Sequence, residues 1–406
     1  MHTDALIQLC KDVIRQPSLS GHEGQVAKIL QTAMQEHGYD TVTYDDKGNL
    51  IGIIQGKRPG KTVLMDGHID TVDISDRSRW THDPYGAQVE DGKIYGRGTS
   101  DMKGAVCAMV AAAASFASSC QKDFAGKICV SCSVHEECFE GVATRSVSEF
   151  CRPDYVIIGE ASNLTLKIGQ RGRAEIFVET IGKTCHSSNP EKGVNAVTHM
   201  LRLVEKIDAL PTPQHPILGK GILALTDIIS SPYPGASVIP GSCRVTYDRR
   251  LLVGETKESI LAPIMQAIQA LEKEVPLFKA KCGLTTGEEK CYTGAIIRAE
   301  RFFPAWLLPQ EHELVQKAIA GLKSVGIDAP ISHYSFCTNG SHFCGEAGIP
   351  TIGFGPSLET LAHTVDEYIE VEQLCTAYEG YKGILHALCK DCLLYTSPSP
   401  RDPKTS

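Results

Sequence analysis

The hydrophobic positions at the two ends of the chain alternate between helical and strand periodicity. Apolar residues recur at helical spacing over residues 5–14 and 23–37, and Ser20 and Gly21 form a start signal for the second helix. Apolar runs typical of buried strands follow at residues 62–66, 128–134, 155–158 and 351–354, with helical stretches at 105–116 and 312–325. This alternation predicts a layered α/β domain with a partly parallel sheet.

The middle of the chain has a different order of elements. The pattern predicts strand, helix and strand, followed by a second strand, helix and strand, at residues 174–180, 194–207, 222–229, 242–252, 257–273 and 277–284. This β-α-β-β-α-β order is ferredoxin-like (α+β), and the layered pattern resumes after it. We therefore expect a small domain, residues 173–288, inserted between two parts of a larger domain, residues 1–172 and 289–391. Residues 292–309 show no clear periodicity and are interpreted as a connecting segment.

The last stretch, residues 392–406, continues no earlier pattern. It is rich in Pro and Ser and resembles translated sequencing read-through. We predict a non-native, disordered tail and exclude it from the fold.

Composition narrows the class of protein. Apolar residues make up 42% and charged residues 22% of the 406 residues, which is typical of a soluble globular protein. The net charge of -8 argues against a nucleic-acid partner. No run of about 20 apolar residues suggests a membrane span. The first residues lack the basic and apolar regions of a secretion signal, so the sequence indicates a cytoplasmic protein.

Sixteen cysteines are compatible with that location, because the cytoplasm keeps thiols reduced. Two pairs have C-x-x-C spacing, Cys129/Cys132 and Cys389/Cys392. The first pair falls on a predicted strand, where residues three apart point to opposite faces and cannot easily share a metal.

Potential metal ligands follow each buried strand of the larger domain. They are His68 with Asp70, Glu136 with Glu137, Glu160 and His363, while Asp101 opens a helix. Singly, each has an ordinary alternative: a helix cap for an Asp, a loop histidine, a solvated acidic turn. In open α/β sheets, however, the ligand crevice lies at the carboxyl ends of the strands, so these residues are expected to converge.

The charges of these residues indicate bound cations. Asp101, Glu137 and Glu160 would bring three negative charges into one crevice, where they would raise one another's pKa. Two divalent ions, about 3.5–4 Å apart in such sites, would balance the carboxylates together with one hydroxide nucleophile. Imidazole and carboxylate ligands suit zinc first, with cobalt or manganese as alternatives.

Six motifs resemble those of a known family. They are Met-Asp-Gly-His-Ile-Asp at 65–70, Tyr-Gly-Arg-Gly-Thr-Ser-Asp-Met-Lys-Gly at 95–104, His-Glu-Glu at 135–137, Gly-Glu at 159–160, Thr-Cys-His-Ser-Ser at 184–188 and Ala-His at 362–363. The chain resembles, from about residue 5 to 390, the co-catalytic zinc metallopeptidases that include aminoacylase, acetylornithine deacetylase, succinyl-diaminopimelate desuccinylase and glutamate carboxypeptidase. Within that family it looks closest to the group labelled selenium-metabolism-linked hydrolases.

The resemblance implies a role for each residue of the crevice. It assigns His68 and Glu160 to one metal, Glu137 and His363 to the other, and Asp101 to a bridge between them. Asp70 would orient the imidazole of His68, and Glu136 would be the general base. The peptide bond between residues 101 and 102 is expected to be cis.

The same resemblance makes the inserted domain a lid and the contact of a homodimer. His186 would reach the active site of the partner subunit and stabilise the oxyanion. Arg250 matches an arginine that binds a substrate carboxylate, and Arg171 is a second candidate for that task. Asn339, in a Gly-rich turn where relatives commonly carry Asp, and Ser237, where they often carry Asn, are expected near the substrate pocket.

These features lead to a metal-dependent hydrolase that cleaves an amide bond of an N-acyl amino acid. A dipeptidase or carboxypeptidase acting on small peptides is the alternative. A non-catalytic metal- or amino-acid-binding protein is a third hypothesis, against which Glu136 speaks because a binding protein needs no base. A nucleotide-dependent enzyme finds little support, since neither glycine-rich phosphate-binding motif is complete.

Overall fold

The computed structural model describes residues 3–390, so the predicted tail at 392–406 lies outside the described residues. Its α-helices are Thr3–Ile14, Gly24–Glu36, Gly104–Ser119, Thr144–Cys151, Ala196–Asp208, Lys257–Glu274, Glu313–Ser324 and Val371–Cys389. Helices at all positions predicted from periodicity are present, with ends within a few residues of the predicted ones.

Within residues 3–390 the larger domain is built on a nine-stranded mixed sheet. Its order is Thr41–Tyr44, Leu50–Gln55, Ala125–Ser133, Arg58–His68, Tyr155–Ile158, Thr351–Gly353, Leu166–Gln170 and Trp306–Leu307, with Ile331–Tyr334 also paired to Leu166–Gln170. The central strands that end at Ser133, His68, Ile158 and Gly353 are parallel. Their carboxyl ends therefore lie at one edge of the sheet.

Helices cover both faces of this sheet, because alternate residues of each strand point to opposite sides. On strand Arg58–His68, Val63 and Met65 pack into the larger core with helices Gly104–Ser119 and Val371–Cys389. Leu64 instead faces a smaller core that includes Val147 of helix Thr144–Cys151. The predicted layered α/β architecture is confirmed.

By length and composition the segment Thr99–Ser119 could span a membrane, although no such apolar run was expected from the sequence. In the structure 83% of its most apolar window is buried inside the protein. A helix that is apolar on all sides is typical of the core of a large domain.

A separate antiparallel sheet forms the inserted unit. Its order is Ile222–Ser231, Ser242–Leu251, Gly172–Ile181 and Ala280–Leu284. Helices Ala196–Asp208 and Lys257–Glu274 pack with this sheet around a core of its own. This is the predicted ferredoxin-like arrangement.

Residues 292–309, interpreted from the sequence as a connecting segment, contain short strands that periodicity did not reveal. Ile296–Glu300 forms a hairpin with Thr286–Lys290, Phe302–Phe303 joins the inserted sheet beside Arg173 and Ala174, and Trp306–Leu307 joins the larger sheet. These strands are only two to five residues long, which is too short for a clear periodic signal. The segment therefore connects the two sheets by pairing with each of them.

The remaining elements are short. They are the strands Gln88–Glu90, Lys93–Tyr95 and Tyr368–Glu370, the two-residue strands Cys185–His186, Gln214–His215, Gly219–Lys220 and Val238–Ile239, and the single turns Arg77–Arg79, Thr99–Lys103, Pro190–Lys192, Ser341–Glu346 and Glu359–Leu361.

Candidate active site

Ligand-type side chains meet at the carboxyl edge of the larger sheet. His68 is the last residue of strand Arg58–His68, and Glu160 follows the neighbouring parallel strand Tyr155–Ile158. Nε2 of His68 lies 3.0 Å from Oδ1 of Asp101 and 3.5 Å from Oε1 of Glu160. The convergence expected from strand ends is therefore observed.

A second imidazole lies on the other side of Asp101. Nε2 of His363 is 3.1 Å from Oδ2 of Asp101 and 3.0 Å from Oε2 of Glu137. Asp101 thus points one carboxylate oxygen toward each histidine, which is the geometry that a bridging ligand requires.

These residues fit a pair of divalent ions. Ligands of a tetrahedral zinc ion lie about 2.0–2.1 Å from the metal, which places neighbouring donor atoms roughly 3.3 Å apart. The donor distances of 3.0–3.5 Å around His68 and His363 match that spacing. Two compact donor groups share His68: one with Glu136 and Glu160, the other with Asp101 and Glu137. Oε2 of Glu136 is farther away, at 4.0 Å from the imidazole of His68.

Negative charge is concentrated in this site. Burial raises the pKa of Glu137 to about 7, and it raises the pKa of Glu136 and Glu160 well above the usual range, with further contributions from neighbouring carboxylates. Burial also opposes ionisation of Asp101, but hydrogen bonds from His363 and His68 hold its pKa below the usual range. An excess of buried carboxylates without enough positive charge is costly, and bound cations would relieve that cost.

Asp70 organises three of the functional residues at once. It is fully buried, and its carboxylate oxygens accept hydrogen bonds from the backbone N–H groups of Glu136 and Glu137, both at 3.1 Å. Nδ1 of His68 lies 2.9 Å from the Asp70 carbonyl oxygen and 3.5 Å from its Oδ1. Ser20 donates a further hydrogen bond of 2.7 Å to Oδ2. The contact with His68 was expected from the sequence, whereas the hydrogen bonds to Glu136 and Glu137 were not.

Glu367 holds the loop that carries Asp101 and was not predicted. Its buried Oε1 accepts hydrogen bonds from the backbone N–H groups of Ser100, at 2.8 Å, and Asp101, at 3.1 Å. Arg97 donates to its Oε2 at 2.6 Å. The peptide bond between Asp101 and Met102 is cis, as expected. Sequence spacing contains no signal for Glu367, because 266 residues separate it from the loop that it supports.

A cavity of about 570 Å³ extends from these residues toward the inserted unit. Arg250, predicted to bind substrate, lines the cavity, and its Nε lies 2.8 Å from Oδ1 of Asp248 in an ion pair. Arg173, Glu140 and Asp248 also line it and were missed. Arg173 lies directly opposite Arg250 on the paired strand, a register that the sequence does not reveal. Glu140 had a signal, since it is the third glutamate within the five residues that begin at Glu136.

Two predicted substrate ligands lie elsewhere. Arg171 is absent from the cavity lining. Its guanidinium turns toward the hairpin containing Lys220, where Nη1 donates to the Lys220 carbonyl at 3.4 Å. Asn339 is buried, and its amide nitrogen donates to Asp66 and to Ser133, both at 2.9 Å.

The carbonyl oxygen of the Asn339 side chain accepts from the backbone N–H of Gly141 at 2.8 Å. Asn339 is therefore a structural residue behind the site, since its polar atoms are engaged within the protein. Ser237 does not line the cavity of its own chain, and its expected place near the substrate pocket stays a prediction.

His186 does not line the cavity of its own chain. It lies exposed on the short strand Cys185–His186, and its Nδ1 accepts a hydrogen bond of 3.1 Å from the backbone N–H of Ser188. Because Nδ1 accepts, the proton of a neutral imidazole is on Nε2, which makes Nε2 a hydrogen-bond donor. The role across a dimer stays a prediction.

Comparison with known proteins decides the family. The sequence profile described as peptidase family M20/M25/M40 matches residues 64–387, which include the donor residues described above. The chain belongs to this family. Membership makes the protein a metal-dependent hydrolase that acts on C–N bonds, and it confirms the resemblance seen in the motifs.

Individual relatives of this M20 hydrolase carry different names. It is 33% identical over 388 residues to the uncharacterized protein YgeY of Escherichia coli K12, with 93% of each chain covered. It is 29% identical over 392 residues to succinyl-diaminopimelate desuccinylase 2 of Ruegeria sp. TM1040, covering 93% of this chain and 94% of that one.

Solved structures share the fold of this M20 hydrolase. Aminopeptidase PepT from Bacillus cereus superposes with a TM-score of 0.74 at 20% identity, covering 96% of this chain and 99% of the other. The YXEP protein of Bacillus subtilis, described as a dinuclear metal-binding peptidase, has a TM-score of 0.70 at 12% identity, with coverage of 95% and 97%.

Proposed function

We propose that this M20 hydrolase removes the acyl group from an N-acyl amino acid, with Glu136 as the general base. The observation that carries the proposal is the position of Glu136. Its carboxylate is buried beside the candidate metal ligands, which we call the donor cluster (His68, Asp101, Glu137, Glu160 and His363). It lies 4.0 Å from Nε2 of His68 and lines the substrate-sized cavity. A pure binding site has no use for a carboxylate so placed.

The residues divide the work as follows. Two divalent cations, with zinc first and cobalt or manganese as alternatives, would be held by His68, Glu160, Asp101, Glu137 and His363. When bound, such ions polarise the amide carbonyl and lower the pKa of water. Glu136 accepts a proton from the attacking water and delivers it to the leaving nitrogen. Asp70 holds Glu136, Glu137 and His68 in position through the contacts described above.

Arg250 supports an amino-acid product. Its guanidinium lines the cavity and is anchored through Nε by Asp248, which leaves the two Nη groups as donors that can approach a ligand. A planar guanidinium suits a carboxylate because it donates two parallel hydrogen bonds. We therefore assign the free carboxylate of the substrate to Arg250.

A homodimer through the inserted unit is part of the proposal. Strand Ile222–Ser231 is an edge strand with exposed large apolar side chains, among them Ile228 and Ile229. An exposed apolar edge strand is a pairing surface unless it is covered. In such a dimer His186 would donate Nε2–H to the oxyanion in the partner's active site. A cytoplasmic location is likewise proposed, on the sequence grounds given above.

The alternative is hydrolysis of a dipeptide or the C-terminal bond of a short peptide. The size of the cavity supports either, because pockets of about 300–1,000 Å³ accommodate small molecules in general. The names of fold relatives include dipeptidases and a carboxypeptidase as well. The chemistry at Glu136 is the same for both substrate classes.

The test is a mass-detected screen of N-acyl amino acids and dipeptides with added zinc, cobalt or manganese. We expect turnover of N-acyl amino acids, and a loss of several orders of magnitude in Glu136→Gln, the size of effect seen when a positioned base and its charge are removed. Bound metal, measured on the same samples, should be retained. Wild-type rates in Glu136→Gln would contradict the mechanism, and hydrolysis restricted to dipeptides would favour the alternative.

A further inference from the structure

One carboxylate in the cavity has an oxygen that the protein leaves unpaired. Glu140 lines the cavity and is 8% exposed, and its Oε1 accepts a hydrogen bond of 3.1 Å from Nη1 of Arg173. Its Oε2 is buried and has no hydrogen-bond partner among residues 3–390. A buried charged acceptor without a partner is costly, so such an atom needs an explanation.

Glu140 is also held in place. Arg173 donates through Nε to Oδ2 of Asp248 at 2.9 Å, and the other oxygen of Asp248 forms an ion pair with Nε of Arg250 at 2.8 Å. The four residues form a continuous chain of ion pairs that runs from the larger domain to the inserted unit. Because Arg173 holds Oε1, the hydrogen bond also defines the position of Oε2.

Another carboxylate in the same cavity provides a contrast. Glu359 also lines the cavity, but Lys167 contacts its Oε1 at 2.9 Å and Ser335 donates to its Oε2 at 3.0 Å. The protein thus satisfies both oxygens of Glu359 and only one oxygen of Glu140. Among the cavity-lining carboxylates within residues 3–390, the fully buried oxygen without a hydrogen-bond partner belongs to Glu140.

We infer that Glu140 binds a nitrogen-bearing group of the substrate. Its Oε2 accepts a hydrogen bond from an N–H group other than the scissile amide. This inference rests on the proposed amide hydrolysis and narrows its substrate class to amides that carry an additional N–H donor. A charged ammonium fits best, because a charge-assisted hydrogen bond is roughly twice as strong as a neutral one. Arg250 takes the substrate carboxylate, so the cavity recognises groups of both signs.

The experiment compares two matched pairs of substrates on the metal-loaded enzyme. Glycyl-leucine and N-acetyl-leucine differ by an ammonium on the acyl side, whereas Nα-acetyl-lysine and Nα-acetyl-norleucine differ by one on the amine side. We expect a preference within one of the two pairs. There the substrate with the ammonium should have a kcat/KM roughly ten- to a hundredfold higher than its matched partner, as expected for a hydrogen bond to a charged group. Glu140→Gln should bring this ratio close to one, and the control Glu359→Gln should preserve it.

Three results would overturn the inference. The wild-type enzyme could hydrolyse both pairs without a preference, which needs no variant to observe. Glu140→Gln could lower kcat/KM equally for both substrates of the preferred pair, as expected for a purely structural residue. Glu359→Gln could remove the preference as well as Glu140→Gln does. Absence of hydrolysis for every amide would instead refute the proposed function itself, so the two failures are distinguishable.

Discussion

Polar side chains at the carboxyl edge of the larger sheet have two different tasks. His68 and Glu160 present their donor atoms to the cluster around Asp101. Asn339 instead turns its amide inward to Asp66 and Ser133. The difference lies in whether a side chain finds partners within the fold, and only the structure shows this.

The inward orientation of Asn339 leads to a prediction about stability. Asn339→Ala removes one partner of Asp66 and the acceptor of the Gly141 N–H, so the free energy of unfolding should fall by about 1–3 kcal/mol. Urea unfolding followed by fluorescence measures this change, with KM measured on the same variant. An unchanged stability combined with a large rise in KM would instead restore Asn339 as a substrate ligand.

At the residue scale, the candidate metal ligands could be predicted because parallel strands bring their carboxyl ends together. His68, Glu137 and Glu160 follow adjacent strands, so their proximity needs only the strand order. Arg173 could not be found in this way. Its place in the cavity depends on the strand register with Arg250 and on how the inserted unit meets the larger domain.

At the scale of elements, long apolar runs were predicted well and short pairings were not. The buried strand at 128–134 and the helix at 105–116 have enough apolar residues to identify them. Strand Ile296–Glu300 has only five residues, and its partner Thr286–Lys290 is mostly polar. Its pairing is stabilised by tertiary contacts, for which a local pattern gives no signal.

The exposed edge strand Ile222–Ser231 leads to a prediction about assembly. Placing two positive charges on its apolar surface, in Ile228→Lys with Ile229→Lys, should prevent burial of that surface against a second copy. We expect a monomer of about 44 kDa with little turnover, measured by light scattering and by an amide-hydrolysis assay.

His186→Ala is the matched control for this variant. It should remain a dimer, while its turnover falls by roughly a hundredfold or more, as expected for loss of an oxyanion donor. A fully active monomer of the charged variant, or wild-type turnover in His186→Ala, would contradict a shared active site.

At the scale of the whole molecule, two separate cores frame one cavity. The larger core supports the donor cluster, and the core of the inserted unit supports Arg173, Asp248 and Arg250. One unit therefore carries the donor residues, and the other carries three charged residues of the cavity lining. This division explains why the bond class follows from the motifs, whereas the substrate depends on contacts that the motifs do not contain.

We propose that amide hydrolysis by this protein depends on two cations held at this sheet edge. The most direct measurement removes metal with a chelator, adds zinc, cobalt or manganese back in steps, and records both bound metal and turnover of an N-acyl amino acid. We predict negligible turnover without metal and a rise that levels off near two ions per chain. Full turnover by protein shown to be metal-free would contradict the account.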